Sequence, residues 1–321
     1  MTGLAPAGRW ARWGAGALLL AASGAALAHG GAVPLRGVYD FSSLPALTPS
    51  DAWVVWEFYP SIVGGCAAAM AAWLILAGPL RRRWNLSPEG PTRQETSRFV
   101  ASLLVVFFSL QGPIHELSDR YLFSGHMVQH LLITLFFPQW FILGIPKWMW
   151  KPLVERPWAA AIGRAWTKPA VALIFWTVCL YLWHVPAMYD WALRDHNVHI
   201  VEHLMFMVGA VVMWWPAWSP LDEVPRLTPG KRMLYLFLLT VPMKALGAII
   251  TMSDFLIYEY YSTQPRVFGL DPMVDQRLGG LIMWLPGGLV FWFVIAVTFF
   301  RTYYRQFQAE RSGTPVTEVM A

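Results

Sequence analysis

The sequence predicts an all-α membrane protein, a bundle of seven transmembrane helices, on three observations. Hydrophobic residues make up 56% of the chain and charged residues 13%, proportions foreign to soluble domains. The apolar residues gather into seven segments, most of them near the length that crosses about 30 Å of hydrocarbon once their flanks are counted. The basic residues sit in short connections between those segments, where they act as topology determinants. The formal charge of +5 is therefore not a nucleic-acid signal.

Taken in order, residues 1–28 read as an export signal. Arg9 and Arg12 form a basic leader, Gly14 to Leu27 an apolar core too short to span, and Ala26-Leu27-Ala28 a cleavage site. The alternative is an uncleaved anchor. Residues 29–52, with Pro34, Pro45 and Pro49, form an external segment without helical periodicity. The membrane domain covers 53–300, and 301–321 is a cytoplasmic tail. Its apolar segments run over Trp53–Leu76, Phe99–Ile114, Met127–Ile145, Ala170–Val185, Ile200–Trp215, Met233–Met252 and Leu278–Phe300. Sixteen Lys and Arg residues fall in the connections at 77–98, 147–168 and 219–232 and in the tail, against five on the opposite side. The positive-inside rule makes the first set cytoplasmic, in agreement with the export signal. This is the orientation of a multi-pass protein of the bacterial inner membrane.

Each span contains or abuts a proline, namely Pro60, Pro113, Pro138, Pro186, Pro216, Pro242 and Pro286, read as features that shape the bundle. Trp84, Trp148, Trp150, Trp214, Trp215 and Trp218 at cytoplasmic ends, with Trp53, Trp56 and Trp183 at external ends, fit interfacial belts. Trp158, Ile162 and Trp166 recur every four residues among basic residues, as on a helix lying against membrane lipid. Cys66 and Cys179 lie inside apolar segments without CxxC spacing and read as small hydrophobic residues.

All eight histidines, at positions 29, 115, 126, 130, 184, 196, 199 and 203, fall in the external segment or at external ends of spans. His126-Met-Val-Gln-His130 opens the third span and His199-Ile-Val-Glu-His203 the fifth, each preceded by a histidine near the end of the span before, His115 and His184. The two hairpins read as a repeat whose HxxxH faces converge roughly 5–10 Å inside the external boundary. Residues four apart share a helix face, so two imidazoles can reach one ion. That makes His126, His130, His199 and His203 metal-ligand candidates, with His115 or His184 completing the set and haem ligation as the alternative. His196 alone reads as an interfacial donor.

Gln129 and Glu202 occupy the matching position inside each pair, where they can orient ligands, cap the helix or meet solvent. Glu57, Glu116, Asp119, Asp190, Asp254 and Asp275 are the few carboxylates near this end, with Asp254 a further accessory candidate. No cysteine lies at the required depth, whereas Met127, Met205, Met207 and Met252 can add thioethers, a set that favours copper, especially Cu(I). If cleavage follows Ala28, the amine and imidazole then exposed at His29 would chelate Cu(II). Lys244, near the middle of the sixth span, must pair, deprotonate or face a wet cavity. Glu57 and Asp254 are the acids nearest in depth.

Ser124-Gly-His-Met-Val-Gln-His130, Trp183-His-Val-Pro186 with Tyr189-Asp190, Val201-Glu-His203, Trp214-Trp-Pro216, Leu246-Gly-Ala248 and Asp275-Gln-Arg-Leu-Gly-Gly280 with Met283-Trp284 together resemble the multi-span CtaG family, assembly factors of caa-type cytochrome c oxidase. The resemblance implies a seven-span bundle that acts as a metallochaperone rather than an enzyme. It would supply copper, received from a periplasmic donor, to the catalytic subunit of a haem-copper oxidase. By position His126, His130, His184, His199 and His203 match the family's histidines, whereas Lys244 has no family role. The paired cysteines of the unrelated single-span copper chaperone that shares the family name are missing. The rival readings are a zinc-dependent membrane hydrolase using Asp119, Asp190 or Asp254 as its carboxylate, a haem-binding electron-transfer protein, and a structural scaffold for the oxidase.

Overall fold

The computed structural model describes residues 58–312. These are overwhelmingly helical, with no strand among the described residues. The export signal, the segment 29–52 with His29, and Trp53, Trp56, Glu57 and the end of the tail lie outside the described residues.

The helices are α1 (Pro60–Ile75), α2 (Arg93–Leu110), α3 (Pro113–Arg120), α4 (Phe123–Leu131), α5 (Phe137–Gly144), α6 (Pro157–Trp166), α7 (Pro169–His184), α8 (Pro186–Arg194), α9 (His196–Trp218), α10 (Pro229–Met252), α11 (Pro272–Ile282) and α12 (Gly288–Ser312). Single π-turns at Leu76–Leu80, Leu132–Phe136 and Met283–Gly287 prolong α1, join α4 to α5 and join α11 to α12. Five continuous helices are long and apolar enough to cross a membrane: Pro60–Arg83, Phe123–Gly144, His196–Trp218, Pro229–Met252 and Pro272–Ser312. Two bent pairs, α2 with α3 at 44° and α6 with α7 at 61°, bring the number to as many as seven. The protein is a membrane helical bundle. On α6, Trp158, Ile162 and Trp166 are all exposed, and the sharp turn into α7 gives that helix the disposition of one lying along a surface.

The prolines divide into three groups, one of them Pro216 and Pro242 inside α9 and α10. Pro60, Pro113 and Pro186 start helices, where the missing N–H removes nothing. Pro138 and Pro286 instead lie beside or inside π-turns, which accommodate a lost hydrogen bond. Pro138 cannot donate to the carbonyl of Thr134 four residues earlier, and Trp214 Nε1 donates to that oxygen at 3.0 Å. Trp214 is thus no interfacial residue. It is fully buried and stacked on Phe291 at 5.2 Å. Trp215, buried against Trp150 at 4.9 Å, and the buried Trp183 are likewise core residues rather than belt residues.

The tightest crossing sets α5 on α2. A Cβ on Gly144 would lie 2.4 Å from the backbone nitrogen of Phe99 and 2.7 Å from its Cα, atoms of a helix that cannot yield as a side chain can. Gly144→Ala is therefore expected to destabilise the bundle by about 1–3 kcal/mol, at the upper end of overpacking effects. Thermal melting of the purified variant in detergent checks this.

Candidate metal centre

The histidines of α4 and α9 meet in the interior. Within each helix the rings meet one turn apart, His126 edge-on to His130 at 4.1 Å and His199 tilted against His203 at 4.2 Å between centroids. Across the gap, His126 and His199 stand 5.6 Å apart, as do His130 and His203. The convergence follows from i, i+4 spacing on two facing helices, and all four rings are buried.

Glu202 lies among them, 1% exposed. Its Oε1 is 3.9 Å from His126 Nε2 and 3.8 Å from His130 Nε2, and its Oε2 is 3.8 Å from His199 Nε2. These separations are too long for hydrogen bonds. Both ring nitrogens of His126 and His130, Nε2 of His184, His199 and His203, and both Glu202 oxygens are buried without a hydrogen-bond partner. Buried polar groups are ordinarily hydrogen-bonded, so this many unpartnered nitrogen and oxygen atoms converging on one place make it a candidate ligand site. One ligand atom each from His126, His199 and Glu202 fall within 4.8 Å of one another. Ligands bonded at about 2.0–2.2 Å around a tetrahedral ion sit about 3.3–3.6 Å apart, so side-chain adjustments of up to about 0.7 Å per ligand would close the set. The donors present fit a transition metal that takes imidazole and carboxylate.

Other groups hold the ligands in place. Asp119 Oδ1 lies 3.0 Å from His199 Nδ1, a charge contact that favours the proton on Nδ1 and leaves the Nε2 lone pair facing inward. Gln129 accepts from Ser118 Oγ at 2.8 Å and donates to the Ser109 carbonyl at 2.8 Å and to His115 Nδ1 at 2.9 Å. The residues preceding the second histidine of each HxxxH pair are therefore not equivalent, since Gln129 orients a neighbouring histidine while Glu202 sits among the candidate ligands. His115, with Nδ1 occupied by Gln129, lies 6.1 Å from His199 and 6.3 Å from His203 at the rim of the cluster. His184 gives Nδ1 to the Leu180 carbonyl at 2.7 Å and packs against Tyr189 and Phe206, which themselves contact His126 and His130.

Two accessory candidates stand apart. Asp254 is exposed and pairs with Arg277 at 3.5 Å. Met127 packs towards α11, where a Cβ on Gly279 would meet its Cγ at 3.2 Å. Asp190 pairs with Arg194 at 3.9 Å, and His196 is exposed.

The connection between α10 and α11 ties this end together. Tyr258 donates to the His184 carbonyl at 3.1 Å, Tyr260 to the Asp119 carbonyl at 3.0 Å and Tyr261 to the Ser118 carbonyl at 2.6 Å, with Tyr189 donating to Tyr261 at 3.3 Å. Burial pushes the phenols of Tyr189, Tyr258 and Tyr261 well above their usual range, which keeps them protonated donors. From α11, Asp275 accepts from the Phe123 and Ser124 backbone N–H groups at 2.7 and 3.1 Å and from Ser124 Oγ at 2.5 Å. It caps the helix that carries His126 and His130.

From the sequence, Asp119 stands out only as a nearby acid and as a carboxylate for the rival hydrolase, Asp275 only as a nearby acid and, with Tyr189, within the stretches that carry the family resemblance, and Tyr258, Tyr260 and Tyr261 not at all. Asp119 had a local signal, its i, i+4 spacing from His115. Asp275 had none, being 151 residues from Ser124. Asp119→Asn is expected to weaken metal binding by roughly 10–100-fold, the usual range for a group that orients a ligating histidine, as read by titration of the purified protein.

The chain is 25% identical over 252 residues to an uncharacterized protein of Mycobacterium bovis, Mb0105, and to another of Mycobacterium tuberculosis, MT0111; each alignment covers 72% of this chain and 36% of the relative. It is 23% identical over 253 residues to the uncharacterized ML1998 of Mycobacterium leprae, covering 72% and 37%. The chain thus spans about a third of the length of these curated relatives. No solved structure matches it. The family described as cytochrome c oxidase caa3 assembly factor (Caa3_CtaG) matches residues 71–305. That match runs from the second half of α1 into α12 and takes in every histidine of the cluster, so the chain belongs to the cytochrome c oxidase caa3 assembly factor family.

Proposed function

We propose that this assembly factor carries copper, taking it up at the outer face of the inner membrane from a periplasmic donor and delivering it to the catalytic subunit of the haem-copper oxidase. The observation that carries the reading is the set of buried, unpartnered imidazole nitrogens gathered around Glu202. His126, His130 and His199 with Glu202 are the ligands, and His203 and His184, each with a free Nε2, are stations to which the ion can shift. With Met127 turned towards Gly279, the set is imidazole and carboxylate rather than thioether, which suits Cu(II).

The work is ligand exchange. Asp119 holds His199 in its ligating tautomer, Gln129 holds His115 at the rim, and the Tyr258–Tyr261 segment keeps water from the cluster until an acceptor engages. No substrate bond is made or broken, so the role is non-enzymatic. Acid opposes loading, because each imidazole must be neutral to bind.

The test is metal analysis of the purified protein after loading with copper or zinc, under oxidising and reducing conditions, beside the copper content of the oxidase in cells that carry the His126→Ala/His130→Ala variant. The expected result is about one tightly held copper per chain and an oxidase depleted of copper in the variant strain. A protein that holds no copper in either state, or a variant that still matures the oxidase fully, overturns the proposal.

A further inference from the structure

Lys244 lies on α10, fifteen residues from its first residue and eight from its last. At 1.5 Å per residue those distances are about 22 and 12 Å. Side chains on a helix lean towards its N-terminus, so the lysine stem is directed along the longer path and its reach of about 6 Å leaves the ammonium short of either boundary. Among the described residues no carboxylate pairs with it. Asp254, just beyond the end of α10, is taken by Arg277.

The side chain has nonetheless been given a place at the surface of the bundle. It crosses Gly288, where a Cβ would lie 2.8 Å from Lys244 Cε, and its Nζ rests 5.6 Å from the centre of the Trp292 ring. Trp292 in turn meets Phe237 at 6.0 Å. Around this spot Val241, Leu285, Leu289 and Phe293 are exposed, so the groove between α10 and α12 opens outwards with a cation on its floor.

We infer that this groove docks a transmembrane helix of the oxidase that carries a carboxylate at the depth of Lys244. Charge complementarity selects that occupant. A cation at this depth in the hydrocarbon is costly until an anion meets it, and lipid phosphates lie at the boundaries the ammonium does not reach. A second copy of this chain offers no match, because the carboxylates deep in its own spans, Glu202 and Asp275, are buried among the described residues. The inference takes the identity of the partner from the family's role in oxidase assembly and is independent of copper.

The experiment places a photo-crosslinking amino acid at Leu289, beside the groove, and separately at Ile174, exposed on α7, in cells assembling the oxidase. The expected result is a crosslink to a membrane subunit of the oxidase from Leu289 and none from Ile174. With Lys244→Met the Leu289 crosslink should fall about tenfold, as loss of one strong polar contact between helices implies, while Lys244→Arg retains it. An unchanged melting temperature in Lys244→Met shows the fold intact. Equal crosslinks from Leu289 and Ile174, an unchanged yield with Lys244→Met, or a crosslink only to a second copy overturns the inference. A protein that binds no copper yet gives the expected pattern overturns the copper reading alone.

Discussion

Replacing Glu202 with glutamine is expected to lower copper affinity on the order of 10³-fold while leaving the metal-free protein as stable as before or more so. The substitution keeps volume and shape, and Gln retains one acceptor while gaining an amide donor. It removes the one anion that lies 3.8–3.9 Å from three imidazole nitrogens. A unit charge at about 4 Å is worth about 4 kcal/mol at an effective dielectric near 20, which is roughly three decades in a binding constant. In the metal-free protein the same carboxylate is buried without a hydrogen bond, an arrangement from which an apolar-medium penalty is relieved when the charge is taken away. The new amide can also donate to a free Nε2. Affinity and melting temperature should therefore move in different senses. If Glu202 were a structural counter-ion to charged histidines, both would fall together, and a melting temperature that drops in metal-free Glu202→Gln sinks the ligand assignment.

How much of this was legible in the chain depends on the range of each interaction. The spans are visible because hydropathy reads the bilayer, yet their starts are misplaced by several residues. Phe99, Met127, Ile200 and Leu278 mark where apolar runs begin, whereas the helices begin at Arg93, Phe123, His196 and Pro272. In three of these, polar caps outside the apolar run set the first turn. Thr92 and Glu95 form a reciprocal capping box, and Asp195 and Asp271 accept from the first N–H groups. The tryptophans were misjudged because position near a span's end does not say which face a ring occupies, and Trp214 is turned inward to serve a carbonyl orphaned by Pro138.

At the site, four-residue spacing carried the two histidine pairs and, read more widely, would have carried Asp119. The same geometry argues against Met127, since a residue one step from His126 is turned by about 100° around the helix. It faces Gly279, where the absence of a side chain also admits the Phe123 ring, whose Cδ1 would stand 2.3 Å from a Cβ. What spacing cannot reveal is the partner supplied by a distant span.

Asp275 is that partner, and its removal is expected to be among the most damaging single changes. Asp275→Ala should lower stability by about 3–5 kcal/mol and strip copper from the protein at the same time, whereas Ser124→Ala, which deletes one of the three hydrogen bonds, should lower stability by only about 1 kcal/mol. The carboxylate is fully buried and accepts from two backbone N–H groups and a hydroxyl at the first turn of α4. Without it those donors are orphaned away from water, and the positive end of the helix loses its counter-charge. Asparagine is a poor substitute because its amide nitrogen must face one of the N–H donors. The loss reaches the metal because His126 follows Ser124 by two residues, so any tilt that lets α4 find new partners moves His126 and His130 away from Glu202. Melting of the metal-free variants in detergent separates the two effects. Should Asp275→Ala melt with the wild type and keep its copper, the cap does not position the histidines, and the order of α4 must come from the packing of Phe123 and Gly279 alone.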